Sequence, residues 1–197
     1  GNMTLTDRCN YEGSPDHKVT VEIVRSNFTD FNENNDGGAI RVKNCDLHCN
    51  GTIFTNCSST NGAGGGIFIN NTMNAETNIT LINLVFIRCS AIFGGAVFIR
   101  SLLESSPILV LNCSFNSNIA YGRKNYNELY GGSSLFLASK NVNVIDCVFK
   151  HAKGQGGSLR IEEPDFGLNI PSDKKIKQLE NEEKTISISG CIFEQDD

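Results

Sequence analysis

The chain has 197 residues with a formal net charge of −5, and it carries 19 glycines, 4 prolines, 8 cysteines and no tryptophan. That length suffices for one good core. No apolar run approaches the roughly 20 residues of a membrane helix, and an acidic chain without a basic patch or aromatic–basic interleaving excludes a nucleic-acid role.

Residues 1–18 read as a lead-in containing Cys9. A repeating unit then begins: Val21 and Ile23 alternate on one strand face, Phe28 follows, Gly37-Gly38 marks a corner, and Ile40 with Val42 forms a second apolar pair. The second unit runs through Leu47, Cys49, Phe54, Gly64-Gly65, Ile67 and Ile69, and the third through Ile79, Leu81, Phe86, Gly94-Gly95, Val97 and Ile99. In the fourth, Ile108, Val110 and Phe115 are separated by an insertion at 119–130 from Gly131-Gly132, Leu135 and Leu137. The fifth has Val142, Val144, Phe149, Gly156-Gly157, Leu159 and Ile161, and then a charged insertion at 162–184 with Pro164 and Pro171. The sixth, Ile186, Ile188 and Phe193, stops at Asp197 before a glycine pair. An incomplete last rung is therefore expected, completed by further chain or by a neighbouring copy. The residues inside the first apolar pairs (Glu22, His48, Thr80, Leu109, Asn143 and Ser187) are mostly polar, as an outward face should be.

Two strand-like segments per unit, repeated in one column pattern, predict an all-β fold over 1–197: a single-domain parallel β-helix of about six rungs with two insertions. At about 4.8 Å per rung the stack would be roughly 30 Å long. A β-sandwich, the alternative for a strand-rich chain, would show hairpin turns and pairwise strands instead. Gly37-Gly38-Ala39-Ile40, Gly94-Gly95-Ala96-Val97 and Phe115-Asn116-Ser117-Asn118 resemble the two signature elements of the polymorphic outer membrane protein repeats. These repeats are known from chlamydial surface proteins and occur in protist surface proteins. Phe54 and Phe86 depart from the pattern, each followed three residues later by cysteine (Cys57, Cys89). The resemblance implies a right-handed β-helix displayed on a surface in adhesion, with no catalytic residues.

Eight cysteines are an even number and many for a cytosolic chain. Cys57 with Cys89, and Cys113, Cys147 and Cys191, fall into columns one rung apart, so Cys57–Cys89 and one pair from the second column are the expected disulfides. One bridge among Cys9, Cys45 and Cys49 would tie down the first rung. Cys45 and Cys49 with His48 lack the second half of a zinc framework, so no metal and no other cofactor is expected. Sequons stand at Asn2, Asn27, Asn50, Asn56, Asn70, Asn78 and Asn112. Together with the cysteines they point to a secreted or cell-surface glycoprotein, although asparagine at repeated corners also creates sequons by chance.

Asp30, Asp36, Asp46, Asp146 and Glu22 hold different repeat positions, and His17, His48 and His151 are unrelated to one another. A glycosidase needs two facing carboxylates, and a calcium-dependent lyase a carboxylate cluster with a base. The expectation is therefore no enzyme, with a polysaccharide lyase or hydrolase as the competing class. Between the inward pairs after the glycines stand Arg41, Phe68, Phe98, Phe136 and Arg160, a column of three aromatics bracketed by arginines. Either the two insertions, with Tyr121, Tyr126 and Tyr130 in the first, cover this column, or an outside partner does. An adhesive or structural module is the leading reading, and a subunit that self-assembles into a filament is its variant. Partners would be other copies, a surface receptor or a glycan.

Overall fold

The structure is a computed structural model, and it describes residues 8–14, 17–72, 76–103, 105–122, 132–154, 157–164 and 185–194. Within these residues the secondary structure consists of strands, without a helix. The chain forms four parallel sheets, three of six strands and one of five, in which each strand pairs with the one four places later. This is a parallel β-helix. One rung shows the plan: β9 (Ile67–Asn71) lies in sheet I, β10 (Ile79–Ile82) in sheet II, β11 (Val85–Ile87) in sheet III and β12 (Ser90–Phe93) in sheet IV.

The sequence predicts two strands per unit, and the rung has four because the corners on either side of the Phe are made mostly by residues other than glycine or proline. Three residues before each Phe the backbone turns at Arg25, Gly51, Asn83, Asn112, Asp146 and Gly190, all with φ between 48° and 63°. Two residues after it, Asp30, Asn56, Arg88, Ser117 and His151 repeat the same left-handed conformation. Asparagine and aspartate enter that region most readily, since their short polar side chains bond locally. Each Phe therefore centres its own three-residue strand in sheet III, rather than trailing the strand in sheet II.

Two glycine corners show why that residue cannot be replaced there. Gly64 has φ +67°, and a Cβ on Gly65 would stand 2.3 Å from the Gly95 carbonyl oxygen of the next rung. In the fourth unit the register pairs Val97 with Leu135, which aligns Gly132-Ser133 with Gly94-Gly95. The expected Gly131-Gly132 pair is thus shifted by one, and Gly131 and Gly156 lie outside the described residues. Strands also claim residues expected to be irregular. Cys9–Glu12 of the lead-in pairs with Ile40–Lys43 in sheet I. Ile119 and Ala120 pair with Ser90 and Ala91, and Glu162 ends a strand, so both insertions begin later than expected.

The core is a single column of rings flanked by aliphatic columns. Phe28, Phe54, Phe86, Phe115, Phe149 and Phe193 stack face to face with centroids 5.1, 4.7, 5.1, 4.8 and 4.8 Å apart. Val21, Leu47, Ile79, Ile108 and Val142 line it from sheet II, and Ile40, Ile67, Val97 and Leu135 from sheet I, all buried. Parallel in-register pairing forces like residues over like, so one apolar choice repeated per unit builds the whole interior.

Candidate interaction surface

Arg41, Phe68, Phe98, Phe136 and Arg160 occupy successive strands of sheet I in one register column. The three rings stack outside the barrel, with centroids 5.4 and 5.1 Å apart. They are not open to solvent: Phe68, Phe98 and Phe136 retain 5%, 4% and 0% exposure and form a second apolar cluster with Ala63, Ala138 and Phe93. Arg100 lies 5.8 Å from the Phe98 centroid and Arg160 lies 5.9 Å from that of Phe136, close enough for cation–π attraction. Arg160 also pairs with Glu162, and Arg41 donates to Asn10 Oδ1 at 2.9 Å. The column is therefore a satellite core and no free binding stripe. Most of the two insertions named as its cover, with Tyr126 and Tyr130, lies outside the described residues, while Tyr121 is exposed.

All eight cysteines are free thiols, so none of the expected disulfides is present. The columns are as expected, but side chains on in-register parallel strands point the same way at about 4.8 Å spacing. A disulfide wants its Cβ atoms at about 3.5–4.5 Å. The thiols have another task, which is to add a second donor to corner carbonyls that already accept a backbone amide from the rung before. Cys45, Cys113, Cys147 and Cys191 each donate to the carbonyl two residues earlier, that of Lys43 (3.0 Å), Leu111 (3.3 Å), Ile145 (3.3 Å) and Ser189 (3.4 Å). The hydroxyls of Ser26 and Thr52 make the same bond to Val24 and Asn50 in the rungs below. Cys57 and Cys89 do likewise with Thr55 and Ile87. Contact between thiols separates their acidities. Hydrogen bonding to Cys89 holds Cys57 below the ordinary thiol value, and burial pushes Cys89 well above it. Cys113 likewise lowers Cys147 and is itself raised, first by that bond and then by burial.

Cys45, His48 and Cys49 do not converge, because Cys49 points into the core while His48 points out of sheet II. The carboxylates are likewise spread over separate corners. Asp46 is buried against Lys18 (3.1 Å), Asp36 accepts the Ala63 amide (2.9 Å), and Asp30 accepts from Asn56 Nδ2 (2.9 Å). Each has a local structural task. Of the sequon asparagines, Asn50, Asn56, Asn78 and Asn112 are exposed, Asn27 and Asn70 are half-buried, and Asn2 lies outside the described residues. Asn112 Nδ2 donates to Asn83 Oδ1 (2.7 Å), and Asn83 Nδ2 to Asn50 Oδ1 (3.2 Å), forming an amide ladder up the corner between sheets II and III.

The outer surface that the sequence reading passed over is on sheets II and III. Val24, Asn50, Ile82, Leu111 and Ile145 share one outward column of sheet II, with Leu109 beside it. Val24 is 53% exposed, and Ile82, Leu109, Leu111 and Ile145 are half-buried. Across the corner, Ile53, Val85 and Val148 stand outward on sheet III. An open groove of about 290 Å³ runs along the first of these columns, lined by Glu22, Val24, His48, Asn50, Thr80 and Ile82. Leu109 alone broke the polar rule in the sequence; reading the position four before each Phe as a column would have exposed the rest. No family model, curated protein or solved structure matches the chain.

Proposed function

We propose that the chain is a non-enzymatic extracellular or cell-surface module that acts by contact, with the solenoid as a rigid support. One observation carries this: the outward aliphatic column Ile82, Leu111 and Ile145 on sheet II faces, over a single corner, the outward Ile53, Val85 and Val148 of sheet III. Two outward apolar columns on a rigid frame, with the amide ladder of Asn50, Asn83 and Asn112 between them and Ser114 interrupting the second, mark a place of contact. The aromatic column of sheet I, the earlier candidate, is already covered and contributes rigidity instead. Exposed sequons at Asn56 and Asn78, away from that patch, support a glycosylated, surface-displayed protein. Asn112 stands in the middle of the contact patch, so it remains unmodified in the working protein and keeps its bond to Asn83.

The test is adhesion of beads coated with the full chain, both to cells and to one another, beside beads carrying Ile82→Asp together with Leu111→Asp. Both substitutions sit on the outer face, so the thermal transition should be retained. The proposed role requires binding or clustering by the native beads and its loss in the variant. If native beads do neither, or if the variant binds as well, this surface is not the contact. Peptide mapping of the secreted protein should find Asn112 without glycan.

A further inference from the structure

We infer that Asn61-Gly62 is a site of spontaneous backbone rearrangement, through which the folded protein ages at its second rung. The sequence contains three dipeptides in which asparagine or aspartate precedes glycine, the spacing that closes a five-membered imide: Asn50-Gly51, Asn61-Gly62 and Asp36-Gly37. Imide formation at such a pair needs the glycine nitrogen to attack the side-chain carbon, so both groups must be free to approach. The fold restrains two of the three. The Gly51 amide donates to Ile82 O (3.0 Å) while Asn50 Oδ1 accepts from Asn83, which holds both reacting groups in ladders. The Gly37 amide donates to Ala63 O (3.0 Å), and Asp36 Oδ1 accepts the Ala63 amide.

At Asn61 the amide donates to Asn34 O of the first rung (3.1 Å), but the ladder to the third rung is interrupted. Asn61 is exposed, and it lies in a β-bulge: Ser59 pairs with Ala91 and Ala63 with Phe93, leaving Thr60, Asn61 and Gly62 opposite Ile92 alone. Residues in a bulge fall out of the regular ladder. Glycine is nonetheless obligatory next to it, because a Cβ on Gly62 would stand 2.5 Å from the Asp36 nitrogen. Packing on the first rung therefore imposes the most reactive neighbour that an exposed asparagine can have.

The step balances within the chain and water. The Gly62 nitrogen bonds to Asn61 Cγ, the Cγ–Nδ2 bond breaks, and ammonia leaves with the amide proton, giving a five-membered imide. Water then opens the ring at either carbonyl, producing aspartate or its β-linked isomer. The β-linked product adds a backbone carbon where Gly62 is pressed against Asp36, so it strains the Ala63–Asp36 and Gly37–Ala63 bonds between the first two rungs.

The full chain, kept folded at body temperature and mildly alkaline pH, is sampled over time and mapped by peptide mass spectrometry. Conversion at Asn61 should outrun that at Asn50 at least about tenfold, a ratio equivalent to about 1.4 kcal/mol. In urea, where the restraints vanish, Asn61 and Asn50 should convert at similar rates. Asn61→Gln should abolish the signal and leave the melting transition in place. Only Asn50 free of glycan serves as the comparator, because Asp36-Gly37 is intrinsically slower whatever its restraint. Equal rates at Asn61 and Asn50 in the folded chain would overturn the inference, as would a ratio that persists in urea.

Discussion

Cys147 illustrates how one side chain can serve the backbone as well as carry its own chemistry. Its thiol caps the Ile145 carbonyl at a left-handed corner, the same bond that Ser26 and Thr52 make with hydroxyls. Cys147→Ser should therefore cost less than about 1 kcal/mol, while Cys147→Ala loses the second bond to a carbonyl that keeps the Asn112 amide and leaves a small void, and should cost about 1–2 kcal/mol. Urea unfolding of both variants distinguishes a capping thiol from a bridging one, since loss of a bridge would make serine as harmful as alanine. Cys49 has no such corner role and is buried in sheet II. Burial pushes its thiol up from 9.0 to about 12, so the folded state holds a proton that the unfolded chain releases at lower pH. With the folded value raised, its stabilising effect is complete below pH 9 and is lost as pH climbs from there through about 12. Urea midpoints should accordingly fall between neutral and strongly alkaline buffer, and Cys49→Val should flatten that decline.

Corners and columns differ in how plainly they show in the chain. The inward pairs of sheets I and II and the Phe stack were legible because each repeats at fixed spacing and each must be apolar. The corners on either side of the Phe were not, since Arg25, Asn83, Asp146 and Ser117 share only a positive φ and no common chemistry. Whether Phe68, Phe98 and Phe136 are covered stayed open for a related reason: alternation tells which side of a strand a ring is on, but not what else packs there. Ala63 and Phe93, which pack with them, come from sheet IV, a sheet that no periodic pattern announced. The glycine corners invite a contrast within one motif. Gly65→Ala drives a methyl into the Gly95 carbonyl and should prevent folding into a regular stack, as read by loss of the cooperative melt. Gly157, with φ +84° and nothing within 4 Å, should accept alanine at the backbone cost of about 1–2 kcal/mol.

Because each rung touches only its neighbours, the stability of the solenoid is a sum of interfaces and should vary along its axis. Phe115 lies inside the stack, fully buried, with rings 5.1 and 4.8 Å away on its two sides. Phe193 has one ring neighbour, Phe149 at 4.8 Å, and is 54% exposed in the last described rung, alongside exposed Ile186 and Ile188. At the other end Phe28 is fully buried, and Phe31 meets it edge to face at 5.6 Å, so that rung is covered where the last is open. The same substitution should then have unequal effects. Phe115→Ala removes two stacking partners and leaves a cavity between aliphatic columns, at a cost of about 3–5 kcal/mol. Phe193→Ala forfeits one contact and little burial, and should stay near 1 kcal/mol, at the low end of what an aromatic pair is worth beyond its buried area. Hydrogen exchange supplies the independent reading: amides of Val110, Phe115 and Val144 should exchange only with global unfolding, while those of Ile188 and Phe193 open locally and earlier. A flat profile, or equal losses at the two positions, would mean that the stack unfolds as one block with no gradient along its axis.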